Sequence, residues 1–193
     1  MKTIIFDTEG NGYRDEQLCQ LSYIIKDGAR LKCKNYFFKV NAMNEYAQKV
    51  HGLSKFALER MSCDRVFADL SEEIYRDFCE ADMIVGHNIR SDIQRLRTEF
   101  SRCGLIYTPK KKFCTMTHFN NALNLTGRLG QRKYPKLSEL CGFYGIDEKK
   151  IENMVEDLFN AKNAKQHDAR YDAAATYLCL LKATKAGDVK GVI

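Results

Sequence analysis

Three β-rich runs open the chain, and helical and extended segments alternate after them. Residues 2–6, 17–26 and 31–40 predict three strands, and Asp27-Gly28 between the last two is typical of a hairpin turn. Shorter strands are predicted at 82–85 and around 113–114. The predicted helices are 54–61, 66–79, 89–102, 116–124, 137–145 and 168–184. This order predicts an α/β sandwich with a mixed central sheet flanked by helices.

The length of 193 residues and the hydrophobic content of 45% indicate one folded domain and exclude wholesale disorder. We expect this domain to span 1–184 and to be followed by a short tail at 185–193. No stretch approaches the ~20 consecutive apolar residues of a membrane helix. Asp7 and Glu9 interrupt the apolar start, so no secretory segment is expected.

Other motif classes are absent from the sequence. The eight cysteines form no C-x-x-C pair, which argues against a zinc ribbon or a thioredoxin-type site. Without an export signal, we expect reduced thiols and a cytoplasmic protein. No G-x-x-x-x-G-K-[ST] loop occurs, which argues against a P-loop NTPase.

The positive charge is concentrated in one segment. The formal net charge is +6, yet residues 100–138 contain eight lysines and arginines and no acid. Such a localised positive field is common in proteins that bind nucleic acid, although a solvated lysine-rich loop gives the same pattern. The candidate basic track for a substrate strand consists of Lys110, Lys111, Lys112, Arg128, Arg132, Lys133 and Lys136.

Two acids follow the first apolar strand. Asp7 and Glu9 are two residues apart, and alternate strand residues share a face, so both carboxylates can point to one spot beyond the strand end. Like charges held this close require a proton or a cation between them. The alternative is a pair of exposed acids in a turn.

Two further acids occupy telling positions. Asp92 lies one helical turn after Asn88, at a strand–turn–helix junction of the kind where open α/β sheets build their sites. Asp172 falls within the apolar stripe of the last helix, where an ionised carboxylate is costly unless it is paired with a lysine or bound to a metal. His167 lies near the start of that helix and could reach the same place.

Oxygen-only ligands select Mg²⁺ or Mn²⁺ rather than Zn²⁺. Two such ions could clamp a phosphate, and a histidine at the edge suits a general base near neutral pH. The residues therefore favour metal-dependent phosphoryl hydrolysis.

The acids and the histidine stand in three motifs, and together these resemble the DEDDh 3′→5′ exonucleases. This is the group that includes the proofreading epsilon subunit of bacterial DNA polymerase III and ribonuclease T. Two further stretches also look like the family: Val50-His51-Gly52-Leu53 and the helix that begins at Lys136-Leu137. The three motifs are Asp7-Thr8-Glu9-x-x-Gly12, Gly86-His87-Asn88-x-x-x-Asp92 and His167-x-Ala169-x-x-Asp172.

The resemblance implies a ribonuclease H-like three-layer sandwich that holds two Mg²⁺ or Mn²⁺ ions. It implies that Asp7, Glu9, Asp92 and Asp172 are the metal ligands and that His167 is the general base. The residues implied for the pocket around the terminal nucleotide are Gly10, Asn11, Gly12, His51, Gly52, Leu53 and Asn88. Gly10 stands where the family usually has threonine, which bears on substrate preference.

The function implied is release of 5′-mononucleotides from the 3′ ends of single-stranded nucleic acid, with DNA favoured. The alternatives are trimming of RNA 3′ ends and a non-catalytic nucleic-acid-binding module on the same fold. A polymerase or another replication or repair protein is a further expected partner, and no membrane is expected.

Overall fold

A five-stranded mixed sheet forms the centre of the computed structural model, which describes residues 1–14 and 16–193. The strand order is β3-β2-β1-β4-β5. β1 pairs antiparallel with β2, which pairs antiparallel with β3, whereas β1, β4 and β5 run parallel. The predicted mixed sheet with antiparallel leading strands is thus confirmed. The strands are β1 (Lys2–Gly10), β2 (Leu18–Asp27), β3 (Arg30–Phe37), β4 (Met83–Gly86) and β5 (Lys112–Cys114).

The helices differ from the prediction in several places. The helices Glu45–His51 and Glu148–Phe159 are absent from the prediction. The predicted helix 66–79 begins as a 3₁₀ turn at Phe67–Leu70, and the predicted helix 116–124 is divided in two. The helices are α1 (Glu45–His51), α2 (Lys55–Ser62), α3 (Ser71–Glu80), α4 (Ile89–Arg102), α5 (Thr115–His118), α6 (Asn120–Leu123), α7 (Leu137–Phe143), α8 (Glu148–Phe159) and α9 (Ala169–Ala186).

Helices cover both faces of the sheet, which gives the three-layer sandwich. Ile4 and Phe6 of β1 face a core that includes Phe78 of α3 and Phe100 of α4. Ile5, which points the other way, packs in the core formed with α7, α8 and α9. Each such side chain, when fully buried, stabilises the fold by about 1.5–3 kcal/mol. Alternation along β1 therefore places Asp7 and Glu9 on the α9 face and Thr8 on the α4 face.

The segment after α9 packs against the rest of the protein. Val189 and Val192 are 3% and 4% exposed, and the Thr3 hydroxyl donates a hydrogen bond of 2.7 Å to the Val192 carbonyl. The last helix also continues to Ala186, two residues beyond the predicted end of the domain. None of the helices in the described part of the chain is long and apolar enough to cross a membrane.

Candidate active site

The first two acids lie within β1 rather than beyond it. β1 continues to Gly10, with Asp7 opposite Ser22 and Glu9 opposite Gln20 of β2. The predicted strand 2–6 was therefore too short, because polar residues at its end concealed its continued pairing. The predicted alternation still applies, and both carboxylates face the same side of the sheet.

Asp92 is held from two sides in the first turn of α4. It is 3% exposed, and its Oδ1 accepts a hydrogen bond of 2.6 Å from the Thr8 hydroxyl. The Arg95 guanidinium lies 3.5 Å from the same oxygen and donates to the Thr8 hydroxyl and carbonyl at 3.2 and 3.3 Å. Asn88, which caps the helix, adopts a left-handed conformation with φ +66°. Because of this turn, α4 begins directly after β4 and places Asp92 next to Thr8 of β1.

Asp172 projects from α9 and is 9% exposed. Its Oδ2 accepts a hydrogen bond of 3.1 Å from the backbone amide of His167, which itself has a φ of +69°. Among the described residues no lysine forms an ion pair with Asp172. Of the two partners considered from the sequence, a lysine and a metal ion, the structure therefore favours the metal ion. His167 is exposed at the rim of the site.

The start of α9 is fixed by a buried amide. Gln20, which is fully buried, accepts from the Ala169 amide at 3.2 Å and donates to Asp168 Oδ1 at 2.9 Å. Asp168 caps the helix and pairs with Arg170. Gln20 and Asp168 therefore hold the backbone that carries His167, a role that sequence reasoning did not assign to either.

These elements bring the four carboxylates together. Ligand atoms of Glu9, His167 and Asp172 lie within 4.8 Å of one another. Asp7, Glu9, Asp172 and His167 line one cleft of about 420 Å³. Asp92 lies beside it and adds to the repulsion felt by the other acids.

The burial of the acids and their closeness to one another raise their pKa values. Burial, followed by the charges of Asp92, Asp172 and Glu9, raises the pKa of Asp7 well above its usual range. Burial and Asp172 raise the pKa of Glu9 to about 9. Burial also raises the pKa of Asp172 to about 7 and that of Asp92 to about 6, the latter against the opposing hydrogen bond from Thr8.

Such a cluster fits a divalent cation. Asp92 and Asp172 are buried and Asp7 and Glu9 are half-buried close to them, and bound positive charge would relieve both the repulsion and the desolvation of these carboxylates. The carboxylate oxygens are hard donors of the kind that Mg²⁺ and Mn²⁺ prefer.

The residues predicted for the terminal nucleotide fall into two groups. His51 lies beside the Gly10 backbone; burial, its main influence, lowers the His51 pKa. Its Nδ1 accepts from the Leu53 amide at 3.0 Å, whereas the buried Nε2 has no partner among the residues described. Gly52 follows as the left-handed cap of α1. These residues lie near the end of β1, and Asn88 lines the cleft from the end of β4.

Asn11 and Gly12 contact neighbouring segments of the chain rather than the cleft. Asn11 is 3% exposed, donates to the Ala42 carbonyl at 3.1 Å and accepts from the Gln17 amide at 2.9 Å. Gly12 has a φ of +76°, and a Cβ there would lie 2.7 Å from the Cβ of Ala47. Neither residue lines the cleft. Because the Asn11 carbonyl accepts from the amide of Asn44, the cap of α1, and Gly12 lies against Ala47 of α1, both residues hold α1 against the end of β1.

The glycine at position 10 has a local explanation. A Cβ built on Gly10 would lie 2.2 Å from Oε1 of Glu16. Glu16 in turn accepts from Arg95 Nε at 3.1 Å. The Glu16 side chain thus occupies the space that a threonine side chain would need.

The predicted basic track is divided by the fold. Lys136 lines the cleft. Lys133 pairs with Glu139, and Arg132 donates to Asn120 and Asn121. Arg128 is exposed in the loop between α6 and α7.

Lys110, Lys111 and Lys112 lie at the starting end of β5, at the end of the sheet opposite the site. Lys112 begins β5 and pairs in register with Ile84 near the start of β4, and Lys110 lies 4.0 Å from Asp82. Because β4 and β5 are parallel, their starting ends face away from the site at their carboxyl ends. The candidate basic track is thus split between the two ends of these strands, and its role in binding a strand stays a prediction.

Several residues of the cleft were missed from the sequence. Arg95, Ser91, His87, Leu137 and Gln166 line it. The three-residue spacing from Asp92 could have indicated Arg95, which places both side chains on one helix face. For Leu137 the available signal was its place at the start of the family-like helix, and for Gln166 it was its position directly before His167.

The fold and the site together define a class of nuclease. A family model described as exonuclease (RNase_T) matches residues 4–180, and the chain belongs to this family, that of the DEDDh-type 3′→5′ exonucleases. The expected family and its ribonuclease H-like fold are confirmed. No curated protein matches the sequence.

Solved structures of E. coli Exonuclease I share the fold. The complex with a dA16 oligonucleotide has a TM-score of 0.69 at 15% identity and covers 95% of this chain and 41% of that one. The zinc-bound complex with single-stranded DNA has a TM-score of 0.66 at 16% identity, covering 96% and 41%. The metal-free complex has a TM-score of 0.64 at 15% identity, covering 97% and 41%. The chain thus spans about two fifths of the length of these neighbours.

Proposed function

We propose that the protein is a metal-dependent 3′→5′ exonuclease that releases 5′-mononucleotides from the 3′ ends of single-stranded nucleic acid, with DNA favoured. The observation that carries this proposal is the convergence of Asp7, Glu9 and Asp172 in one cleft, with His167 at its rim and Asp92 beside it. Family membership supports the reaction class. The neighbouring Exonuclease I complexes with DNA support single strands as substrate.

The four carboxylates would hold two Mg²⁺ or Mn²⁺ ions. When bound, such ions neutralise the developing charge on a phosphate and lower the pKa of bound water. Thr8 and Arg95 keep Asp92 in place through the contacts to its Oδ1. The His167 amide does the same for Asp172.

His167 would act as the general base. Its side chain is exposed at the rim and lies within 4.8 Å of ligand oxygens of Glu9 and Asp172. A ring nitrogen there can accept the proton of a water that attacks phosphorus and pass it to solvent. Gln20 and Asp168 fix the backbone at the start of α9, next to the residue that carries the imidazole.

The end of the strand would sit beside His51 and Asn88. The buried His51 Nε2, unpaired within the described chain, offers a hydrogen-bonding group for the terminal sugar or base. Discrimination between ribose and deoxyribose depends on contacts to the 2′ hydroxyl, and trimming of RNA 3′ ends is therefore the second candidate function. An associated polymerase or repair protein, and a cytoplasmic location, stay predictions.

A substrate panel tests the proposal. Single-stranded DNA, duplex DNA and RNA of matched sequence are labelled at the 5′ end and incubated with Mg²⁺, Mn²⁺ or EDTA at one salt concentration. We expect 5′-mononucleotides from single-stranded DNA with either metal and none with EDTA. Faster release from RNA would favour the second candidate. Tight binding without release in either metal would favour the non-catalytic module.

A further inference from the structure

A second cavity opens beside the cleft. It has a volume of about 360 Å³ and lies between α7, the start of α8 and α9. It shares Leu137, Gln166 and Asp172 with the active-site cleft, so the two are continuous. We call this cavity the α7–α8 pocket.

The walls of the α7–α8 pocket are largely apolar. Ile146 and Ile151 from the α7–α8 region are 5% and 3% exposed, and Tyr171 of α9 is 8% exposed. Gly142 leaves the mouth open, because a Cβ added there would meet nothing within 4 Å. Small-ligand pockets have this apolar character, and their volumes begin at about 300 Å³.

The charges of the pocket argue against a phosphate group. Asp147 and Glu148 stand at its outer rim and Asp172 at its inner one, and its described lining contains no lysine, arginine or histidine. A neutral flat group is therefore a better occupant than the backbone of a nucleic acid. Lys136, which precedes the shared Leu137, lines the cleft and can contact the adjoining phosphate.

The start of α7, which forms one wall of the pocket, and the segment that contains His51 and Leu53 lie on opposite sides of the acids. His87 Nε2 lies 3.0 Å from the Pro135 carbonyl, which places the start of α7 at the end of β4. Leu53, in contrast, packs against Cys19 of β2. Since β2 and β4 flank β1 on its two sides, a strand crossing the acids of β1 has one nucleotide on each side.

We infer that the α7–α8 pocket binds the nucleobase of the nucleotide immediately 5′ to the scissile phosphate. This inference rests on the proposed exonuclease function and on the terminal nucleotide lying near His51. The pocket would then anchor an unpaired base, because a base in a duplex is stacked and paired and cannot turn into it. The preference for single strands would follow from this second position as well as from the terminal one.

Substrates that lack one base test the inference directly. Release of the first nucleotide is measured in single turnover from three 5′-labelled oligonucleotides: one intact, one abasic at the second position from the 3′ end, and one abasic at the fifth. We expect loss of the second base to raise the KM about tenfold, because a base held by apolar and aromatic side chains contributes to the affinity for a single strand. Loss of the fifth base should change it less than twofold.

A variant that fills the pocket provides the matched test. Gly142→Leu places a side chain in the open space, and Gly142→Ala is the control that changes the helix without filling the cavity. Gly142→Leu should raise the KM for the intact strand about tenfold and remove the difference between the intact strand and the strand abasic at position two. Gly142→Ala adds only a methyl group, so its KM should rise far less than that of Gly142→Leu and the difference between the two strands should persist.

The outcomes separate this inference from the proposed function. If the parent releases no nucleotide from any strand with Mg²⁺ or Mn²⁺, the exonuclease proposal fails and this inference fails with it. If the parent releases nucleotides but its KM is indifferent to the second base, only the pocket assignment is overturned. A penalty for the abasic strand that persists in folded Gly142→Leu would place the base elsewhere; should that variant not fold, the comparison of strands with the parent still decides.

Discussion

The Thr8 hydroxyl donates a hydrogen bond of 2.6 Å to Asp92 Oδ1, across 84 residues of sequence. Both side chains are buried, and they lie on the α4 face of β1, behind the acids that face α9. The contact shows how the middle residue of the first motif serves the site. It orients a carboxylate of the second motif while its two neighbours point into the cleft.

Replacing Thr8 with valine should weaken metal binding. The change keeps the shape but removes the donor to Asp92, and loss of such outer partners typically costs 10–100-fold in metal affinity. Titration of Mn²⁺ by calorimetry or electron paramagnetic resonance measures this directly. Thr8→Ser keeps the hydroxyl and should retain near-parent affinity. Equal affinity in Thr8→Val and the parent would show that the contact does not matter to the metal.

Glycines 10 and 12 should respond differently to alanine. At Gly10 the added Cβ displaces only the end of the Glu16 side chain, so the loss is that of the half-exposed pair with Arg95, below about 1 kcal/mol. At Gly12 a positive φ and the fixed Ala47 Cβ oppose the change, and we expect a loss of about 1–3 kcal/mol. Urea unfolding of the two variants compares the free energies of unfolding, and similar losses would refute this explanation of Gly10.

Asp7→Asn should stabilise the metal-free protein at high pH. The folded-state pKa of Asp7 is raised above its usual 3.8, so its contribution to stability is intact below about pH 4 and declines as pH rises toward the folded pKa. Asparagine cannot ionise and avoids this decline. Thermal melts in EDTA should show a higher Tm for the variant at pH 8 and a smaller gain at pH 5. A lower Tm at pH 8, or a gain that grows toward acid, would contradict the repulsion described for the site.

Substitutions of the lysines in the basic segment should affect the binding of single-stranded DNA differently, depending on where each lysine lies. Lys136→Ala should raise the KM for single-stranded DNA and flatten its salt dependence, because Lys136 lines the cleft. Lys111→Ala is the matched control beside the starting ends of β4 and β5, and it should leave both the KM and its salt dependence unchanged. Fluorescence anisotropy at several salt concentrations in Ca²⁺ measures the binding. Equal effects of the two changes would show that both ends of the basic segment contact the strand.

Local patterns were enough to predict much of the fold and the acids of the site. Two-residue alternation placed Asp7 and Glu9 on one face, and Asp172 stood out within an apolar helix stripe. Helix α8 could also have been predicted, since Ile151 and Val155 recur at helical spacing and Asp147 caps the helix. These features depend on neighbours along the chain.

The remaining features depend on distant contacts. The link from Arg95 to Thr8 and the clamp of Gln20 on α9 join elements that are far apart in sequence. The placement of Lys110 to Lys112 required the direction of β5 in the sheet, which charge alone does not indicate. The same holds for the α7–α8 pocket, whose walls come from three helices.

Release of the first nucleotide by Asp172→Asn tests the central claim most directly. Asparagine keeps the size of the side chain but removes a carboxylate from the shared cluster, and the pairing with the His167 amide can persist. With 5′-labelled single-stranded DNA and Mg²⁺, the parent should release 5′-mononucleotides from the 3′ end. The variant, shown by thermal melting to be folded, should be slower by at least about a thousandfold, a loss of roughly 4 kcal/mol in transition-state stabilisation. Release by folded Asp172→Asn at the rate of the parent would contradict the assignment of this cleft as the active site.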